Sequence, residues 1–153
     1  AKPDAADLLR KTLAKPGYKP APIAMGTNTD PYQPIEERYR ITRQVLEVCL
    51  ETRHPVTITT KSARVVRDID LLAELAKLHL TAVSLSVTSL DPKLSGLLEP
   101  RASAPAKRLD ALEELAAAGV KPLFMQEGFE QIVRWSHLPP AFPGEELEFD
   151  QEK

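Results

Sequence analysis

The sequence predicts an α/β protein built on parallel strands. Four short β-prone runs, each bounded by Pro, Gly, Asn, Asp or Ser, alternate with amphipathic helical patterns, and one more helical pattern precedes the first run. Strands alternating with helices of this size favour parallel pairing through right-handed crossovers. The runs lack strict polar alternation, as expected of strands covered on both faces. An open doubly wound sheet and an incomplete (β/α) barrel both fit this order. A complete eightfold barrel takes roughly 250 residues, so a chain of this length supplies about half of one.

The first helical pattern runs from Asp4 to Ala14, with Ala5, Leu8, Leu9 and Leu13 on one stripe. The first β-prone run is Pro22–Thr27. A long helix is predicted over Ile35–Thr52, where Ile41, Val45, Leu46, Cys49 and Leu50 recur at spacings of three and four. The second run is Val56–Thr60. A helix over Asp68–Leu78 follows, with Ile69, Leu72, Leu75 and Ala76 inward. The third run, Ala82–Val87, leads to a helix over Ala106–Ala118 carrying Leu109, Leu112, Leu115 and Ala116. Gly119 stands where a left-handed C-cap belongs. The fourth run is Val120–Met125. Residues 1–125 therefore read as the folded unit. Residues 126–153 read as an irregular arm: one short amphipathic helix with Phe129, Ile132, Val133 and Trp135, then Pro139-Pro140, Pro143-Gly144 and an acidic end.

Composition narrows the function classes. Hydrophobic residues make up 42% and charged residues 27%, enough for an ordinary core. The net charge of -2, with both signs interspersed, leaves no electrostatic footprint for nucleic acid. No apolar stretch is long enough to cross a bilayer, and Ala1-Lys2-Pro3-Asp4 has no signal-peptide pattern. The single cysteine, Cys49, forbids an intrachain disulfide and argues for a reducing compartment, the cytoplasm by default. No two histidines share a metal-like spacing, and there is no G-x-G-x-x-G, P-loop or G-x-S-x-G. His54, at a strand start, reads as structural; His79 ends a helix; His137 lies in the arm.

Parallel α/β proteins bind ligands beyond the C-terminal ends of their strands. After the first strand comes Thr27-Asn28-Thr29-Asp30-Pro31-Tyr32-Gln33-Pro34. Asn28 and Asp30 can accept the N–H groups of a tight turn or a ligand's ammonium; the plainer role for Asp30 is to cap the next helix. After the second strand, Lys61 can hold a carboxylate or phosphate as a point charge, or simply be solvated. The third strand alternates Ser84, Ser86 and Thr88 with Val83, Leu85 and Val87, and buried hydroxyls need partners. Arg101, in Glu99-Pro100-Arg101, can clamp a carboxylate or pair with Glu99. Cys49, on an apolar stripe, reads as a core residue.

Together these segments resemble a family. Gly26–Glu36, Thr60-Lys61-Ser62, Ser84–Val87, Leu90-Asp91-Pro92 through Ala102 and Ala106–Ala111 are similar, in order and spacing, to the core of radical S-adenosylmethionine (SAM) proteins related to spore photoproduct lyase. The similarity runs from Lys2 to Lys121. It implies a partial parallel (β/α) barrel in which a three-cysteine loop holds a [4Fe-4S] cluster. The cluster binds SAM and cleaves it reductively to a 5′-deoxyadenosyl radical. Carried over, Thr29 and Asp30 would lie beside SAM, Lys61 would reach its methionyl carboxylate, and Ser86 would hydrogen-bond the methionyl group. Asn28 and Arg101 match by position.

The departure from the family is the cysteine loop, expected just before Lys2. Cys49 is one thiol where three are needed. The glycine- and proline-rich segment expected after Val120 is missing too. The chain therefore reads as a radical SAM fragment, inactive as it stands, whose intact form would bind SAM and [4Fe-4S] and which needs the missing barrel segments or an oligomer partner. The lyase resemblance suggests a nucleic-acid substrate, which the charge does not support. The alternatives are a non-catalytic binding or interaction module that keeps the scaffold, and an ordinary α/β phosphate-binding enzyme, against which the missing glycine-rich loop counts.

Overall fold

The computed structural model describes residues 2–125; the expected short helix and acidic tail of the arm, with His137, lie outside them. The elements run α1 (Ala5–Leu13), β1 (Ile23–Met25), α2 (Glu36–Tyr39), α3 (Ile41–Glu51), β2 (Val56–Thr60), a 3₁₀ turn (Ala63–Asp68), α4 (Ile69–Lys77), β3 (Thr81–Ser86), α5 (Pro92–Leu98), α6 (Pro105–Ala117) and β4 (Pro122–Met125).

The strands form one parallel sheet in the order β1-β2-β3-β4. This order decides between the two architectures the sequence left open. Each strand is laid beside its predecessor in the same direction, so right-handed crossovers place the connecting helices on one face. A doubly wound sheet reverses direction and covers both faces; this sheet does not, and it is part of a (β/α) barrel.

The strands also alternate more than the sequence suggested. Along β2, Val56, Ile58 and Thr60 are buried while Thr57 is exposed. On β3, Val83 and Leu85 are fully buried, and Val87 just beyond it nearly so. Val56, Ile58, Val83 and Leu85 meet Leu46, Cys49, Leu72, Leu75, Leu112 and Leu115 in one core. The other face carries small and polar side chains: Ala24 and Thr57 are exposed, and Thr59, Ala82 and Ser84 are half-buried. Among the described residues, the two-sided cover expected from the sequence is thus corrected to a one-sided one. The hydroxyls of Thr57, Thr59 and Ser84, which blurred the pattern, lie on this second face.

The expected long helix is two helices. Arg40 adopts a left-handed conformation (φ 48°) and ends α2. Glu36, buried, turns its carboxylate to accept the Thr42 N–H at 3.0 Å and so caps α3. Helix α5 was not anticipated, because its leucines face outward: Leu94, Leu97 and Leu98 are exposed and give no inward stripe. Its start was nonetheless written in the sequence. Asp91 accepts the N–H groups of Lys93 and Leu94, and Pro92 occupies the first turn. Gly119 has the left-handed φ (+77°) expected after α6. His54 is buried at the start of β2, bonded to the Tyr18 hydroxyl at 2.8 Å, which joins the α1–β1 connection to the sheet.

Candidate functional site

The C-terminal ends of β1, β2 and β3 carry the polar residues singled out by sequence. Gly26 sets the geometry at β1. It has φ +102°, and a Cβ there would lie 1.9 Å from the Thr59 carbonyl oxygen. Only glycine lets β1 turn away this close to β2. The turn carries Thr27, Asn28 and Thr29 out into solvent and returns at Asp30.

Asp30 ties the ends of two strands together. Its Oδ1 accepts the Tyr32 N–H at 2.8 Å, a local Asx turn, and the Thr60 hydroxyl at 2.7 Å. Its Oδ2 accepts the Lys61 N–H at 2.8 Å. The plainer expectation, a turn-capping carboxylate, describes the Tyr32 contact; the two bonds to β2 go beyond it. A groove of about 550 Å³ opens beside this loop, lined by Thr29, Asp30, Gln33, Glu36 and Thr42 among others.

Lys61 extends from the end of β2 to Glu99, Nζ to Oε1 2.7 Å, with its side chain 37% exposed and that of Glu99 10%. Glu99 also accepts the Thr88 hydroxyl at 2.6 Å and Arg108 Nη1 at 2.9 Å. Arg108 is completely buried. Its Nη1 donates to the Ser86 carbonyl at 2.6 Å and its Nη2 to the Ser95 hydroxyl at 2.9 Å. Burial works to raise the Glu99 pKa, but the hydrogen bonds from Lys61, Thr88 and Arg108 outweigh it and hold the carboxyl below the usual glutamate range. Ser103 closes the cluster: its N–H donates to the Lys61 carbonyl and its hydroxyl accepts the Ala63 N–H.

The structure therefore brings Asp30, Lys61 and Ser86 to neighbouring strand ends. Thr60 pairs with Leu85 in register, so Lys61 and Ser86 both follow directly. Ser86 is buried, while Asn28 and Thr29 are exposed. The expected pairing of Arg101 with Glu99 is not formed. Arg101 is exposed, and the guanidinium on Glu99 is that of Arg108. Arg108 lies fully buried on the inner face of α6, where it reaches the partly buried Glu99, whereas Arg101 sits exposed in the loop before α6. Sequence reading missed Arg108 and Glu99 as a pair. The available signal was a charged residue one position before Leu109, on a helix face whose other members are Leu112 and Leu115.

The same residues can be tested against a [4Fe-4S] cluster, and they do not fit it. The chain has one cysteine. Cys49 is fully buried in α3, and burial pushes its thiol up to about 11, away from the thiolate a cluster iron needs. Among the described residues, no three His, Cys, Asp or Glu side chains converge as a metal site.

Comparison with known proteins places this geometry. The chain is 34% identical over 119 residues to the uncharacterized protein Rv2578c of Mycobacterium tuberculosis, covering 78% of this chain and 35% of that protein. It is 33% identical over 99 residues to the uncharacterized protein MJ0683 of Methanocaldococcus jannaschii, covering 65% and 37%. A protein of the Acidianus two-tailed virus, ORF301, matches at 32% over 115 residues, covering 75% and 36%. The chain thus spans about a third of the length of these relatives. Its fold superposes on a mutant of spore photoproduct lyase with a TM-score of 0.61 at 19% identity, over 81% of this chain and 35% of that one. The sequence profile of the radical SAM superfamily matches residues 3–132, and the chain belongs to that superfamily.

Proposed function

We propose that this chain is the SAM-binding portion of a radical SAM core, in which Lys61 takes the methionyl carboxylate, Ser86 the methionyl group, and Thr29 and Asp30 border the ligand. Asn28 and Arg101 serve at the rim. One observation carries the reading: in a superfamily that uses SAM, an ammonium stands at the mouth of the parallel strands, on the residue level with Ser86, and on a carboxylate that a buried arginine also holds. Such a fixed point charge at a strand end suits an anionic ligand group. Asp30 acts mainly as the brace that fixes the Lys61 main chain.

The cluster would come from elsewhere in the intact protein. Among the described residues β1 has a partner on one side only, and α1 packs against α3, linked by an Arg10–Glu51 ion pair of 3.0 Å. A right-handed crossover ending in α1 and β1 would start from a strand along the outer edge of β1. A cysteine-bearing loop after that strand would face the Thr29–Asp30 groove. A cluster held by other segments would supply the electron that cleaves SAM, while the residues of this chain would bind and orient SAM. The chain by itself is inactive in this chemistry, and a reducing compartment suits both the lone thiol and a cluster.

Anaerobic reconstitution with iron and sulfide, then dithionite and SAM, tests inactivity. Neither stoichiometric cluster absorption nor 5′-deoxyadenosine above a cluster-free control is expected; either one would refute it. In the cluster-bearing full-length protein, Lys61→Ala should weaken SAM binding and leave the iron content unchanged. Equal affinity would remove Lys61 from the site. A second reading, a scaffold that binds a partner rather than SAM, draws on the exposed Leu90, Leu94, Leu97 and Leu98 around α5. It is favoured if the full-length protein binds no SAM.

A further inference from the structure

We propose that Glu99, held by Arg108, is a positioning residue that aims the Lys61 ammonium at the strand mouth. The inference rests on the reading of Lys61 as the carboxylate partner and adds how that group is held.

A carboxylate on Lys61 could do one of two things. It could be a gate that a ligand's carboxylate must displace, or an anchor that stays while the ligand binds. The hydrogen bonds favour the anchor. Glu99 is fixed without Lys61: Thr88 donates to Oε1 at 2.6 Å and Arg108 to Oε2 at 2.9 Å. Arg108 is itself fixed, with no exposure and further bonds to the Ser86 carbonyl and the Ser95 hydroxyl. Displacing Glu99 would leave a buried guanidinium without its carboxylate, a costly state. The lysine is the more exposed member, with its side chain 37% exposed against 10% for Glu99. An ammonium has three donors and can serve Glu99 and a second acceptor together. One guanidinium thus binds the main chain of Ser86 and the carboxylate that holds Lys61, and sets the spacing between them.

The relay is testable without a ligand. Labelling of each lysine by an amine-acylating reagent, read by mass spectrometry, reports how tightly Lys61 is held. Glu99→Gln should raise Lys61 labelling about three- to tenfold, a charge-assisted bond discounted for partial exposure. Glu99→Asp, which keeps the charge for Arg108 but is a methylene short of Lys61, should raise it too. Arg108→Lys, which keeps the charge but loses the fork, should do so without touching Lys61. Lys77, paired with Glu74 on α4, is the internal standard, and thermal melts confirm folding. Unchanged Lys61 labelling in folded Glu99→Asp and Glu99→Gln overturns the relay.

Equilibrium binding of SAM to the cluster-bearing full-length protein separates anchor from gate. Removing a negative charge beside an anion site should tighten binding if charge alone matters or if Glu99 is a gate. The anchor predicts that Glu99→Gln weakens SAM binding about three- to tenfold. If Lys61→Ala weakens binding and Glu99→Gln tightens it, the anchor is wrong and the Lys61 assignment stands. If Lys61→Ala has no effect, the Lys61 assignment itself fails.

Discussion

Gly26→Ala should be the most damaging small substitution in the strand-end region. The added Cβ would lie 1.9 Å from the Thr59 oxygen and 2.9 Å from the Thr59 carbonyl carbon. A comfortable C···O contact is about 3.3–3.6 Å, so β1 and β2 would have to part by more than about 1 Å there. A ladder bond stretched that far is lost. Strand β1 pairs over only Ile23, Ala24 and Met25, so losing one or two such bonds, at about 0.5–1.5 kcal/mol each, releases much of it. Placing a Cβ at φ +102° adds about 1–2 kcal/mol of backbone strain. The sum is about 1.5–5 kcal/mol. Gly17→Ala is the control: its φ is +78°, also left-handed, but nothing lies within 4 Å of its Cβ position. It should cost the strain alone, about 1–2 kcal/mol. Urea unfolding of both variants, with the slope checked for constancy, isolates the clash as the difference. Two losses within about 0.5 kcal/mol of each other would mean that β1 does not need glycine's close approach.

Other consequences can be measured on the same chain. Leu46→Ala and Leu72→Ala, both fully buried, should each cost about 2–5 kcal/mol in urea unfolding, whereas a loss below about 0.5 kcal/mol for both would place the wrong face in the core. Asp30→Asn should cost about 1–3 kcal/mol, because the amide turns one of two accepting positions into a donor facing the Lys61 or Thr60 donor; backbone amide exchange of Lys61 should rise with it. Cys49 should react with a thiol reagent only on unfolding, since its thiol is buried and pushed up to about 11; fast native-state labelling would contradict its core position. Asp70 is held down at about 2 by its hydrogen bond from Arg43. A depressed carboxylate stabilises the fold above its unfolded value of 3.8 and loses that contribution as pH falls toward 2. Asp70→Asn should therefore flatten the acid limb of a stability–pH curve in that window, by a small amount because the carboxylate is largely exposed.

The sequence by itself determined the order of the four strands and of the long helices between them, the parallel pairing and the superfamily. These follow from local properties: apolar periodicity at Leu72 and Leu75 or Leu112 and Leu115, punctuation by proline and glycine, and the ordered motifs from Gly26 to Ala111. The strand ends that carry Asp30, Lys61 and Ser86 were also legible, because a parallel fold presents its ligands there whatever the packing. The tertiary structure decided the rest. The break at Arg40 depends on Glu36 folding back to cap Thr42, and two helical patterns joined end to end look continuous until that contact is made. Helix α5 escaped notice because its leucines face outward, and periodicity sees only helices with a buried stripe. One-sided cover of the sheet depends on strand order, which no local pattern encodes. The largest gap was at the site. Arg101 stood beside Glu99 in sequence, but the guanidinium that reaches Glu99 belongs to Arg108, a helical turn inside α6. Proximity along the chain favours the neighbour; a partly buried carboxylate selects the cation that the packing brings to it, here the fully buried Arg108, and only the folded chain shows which one that is.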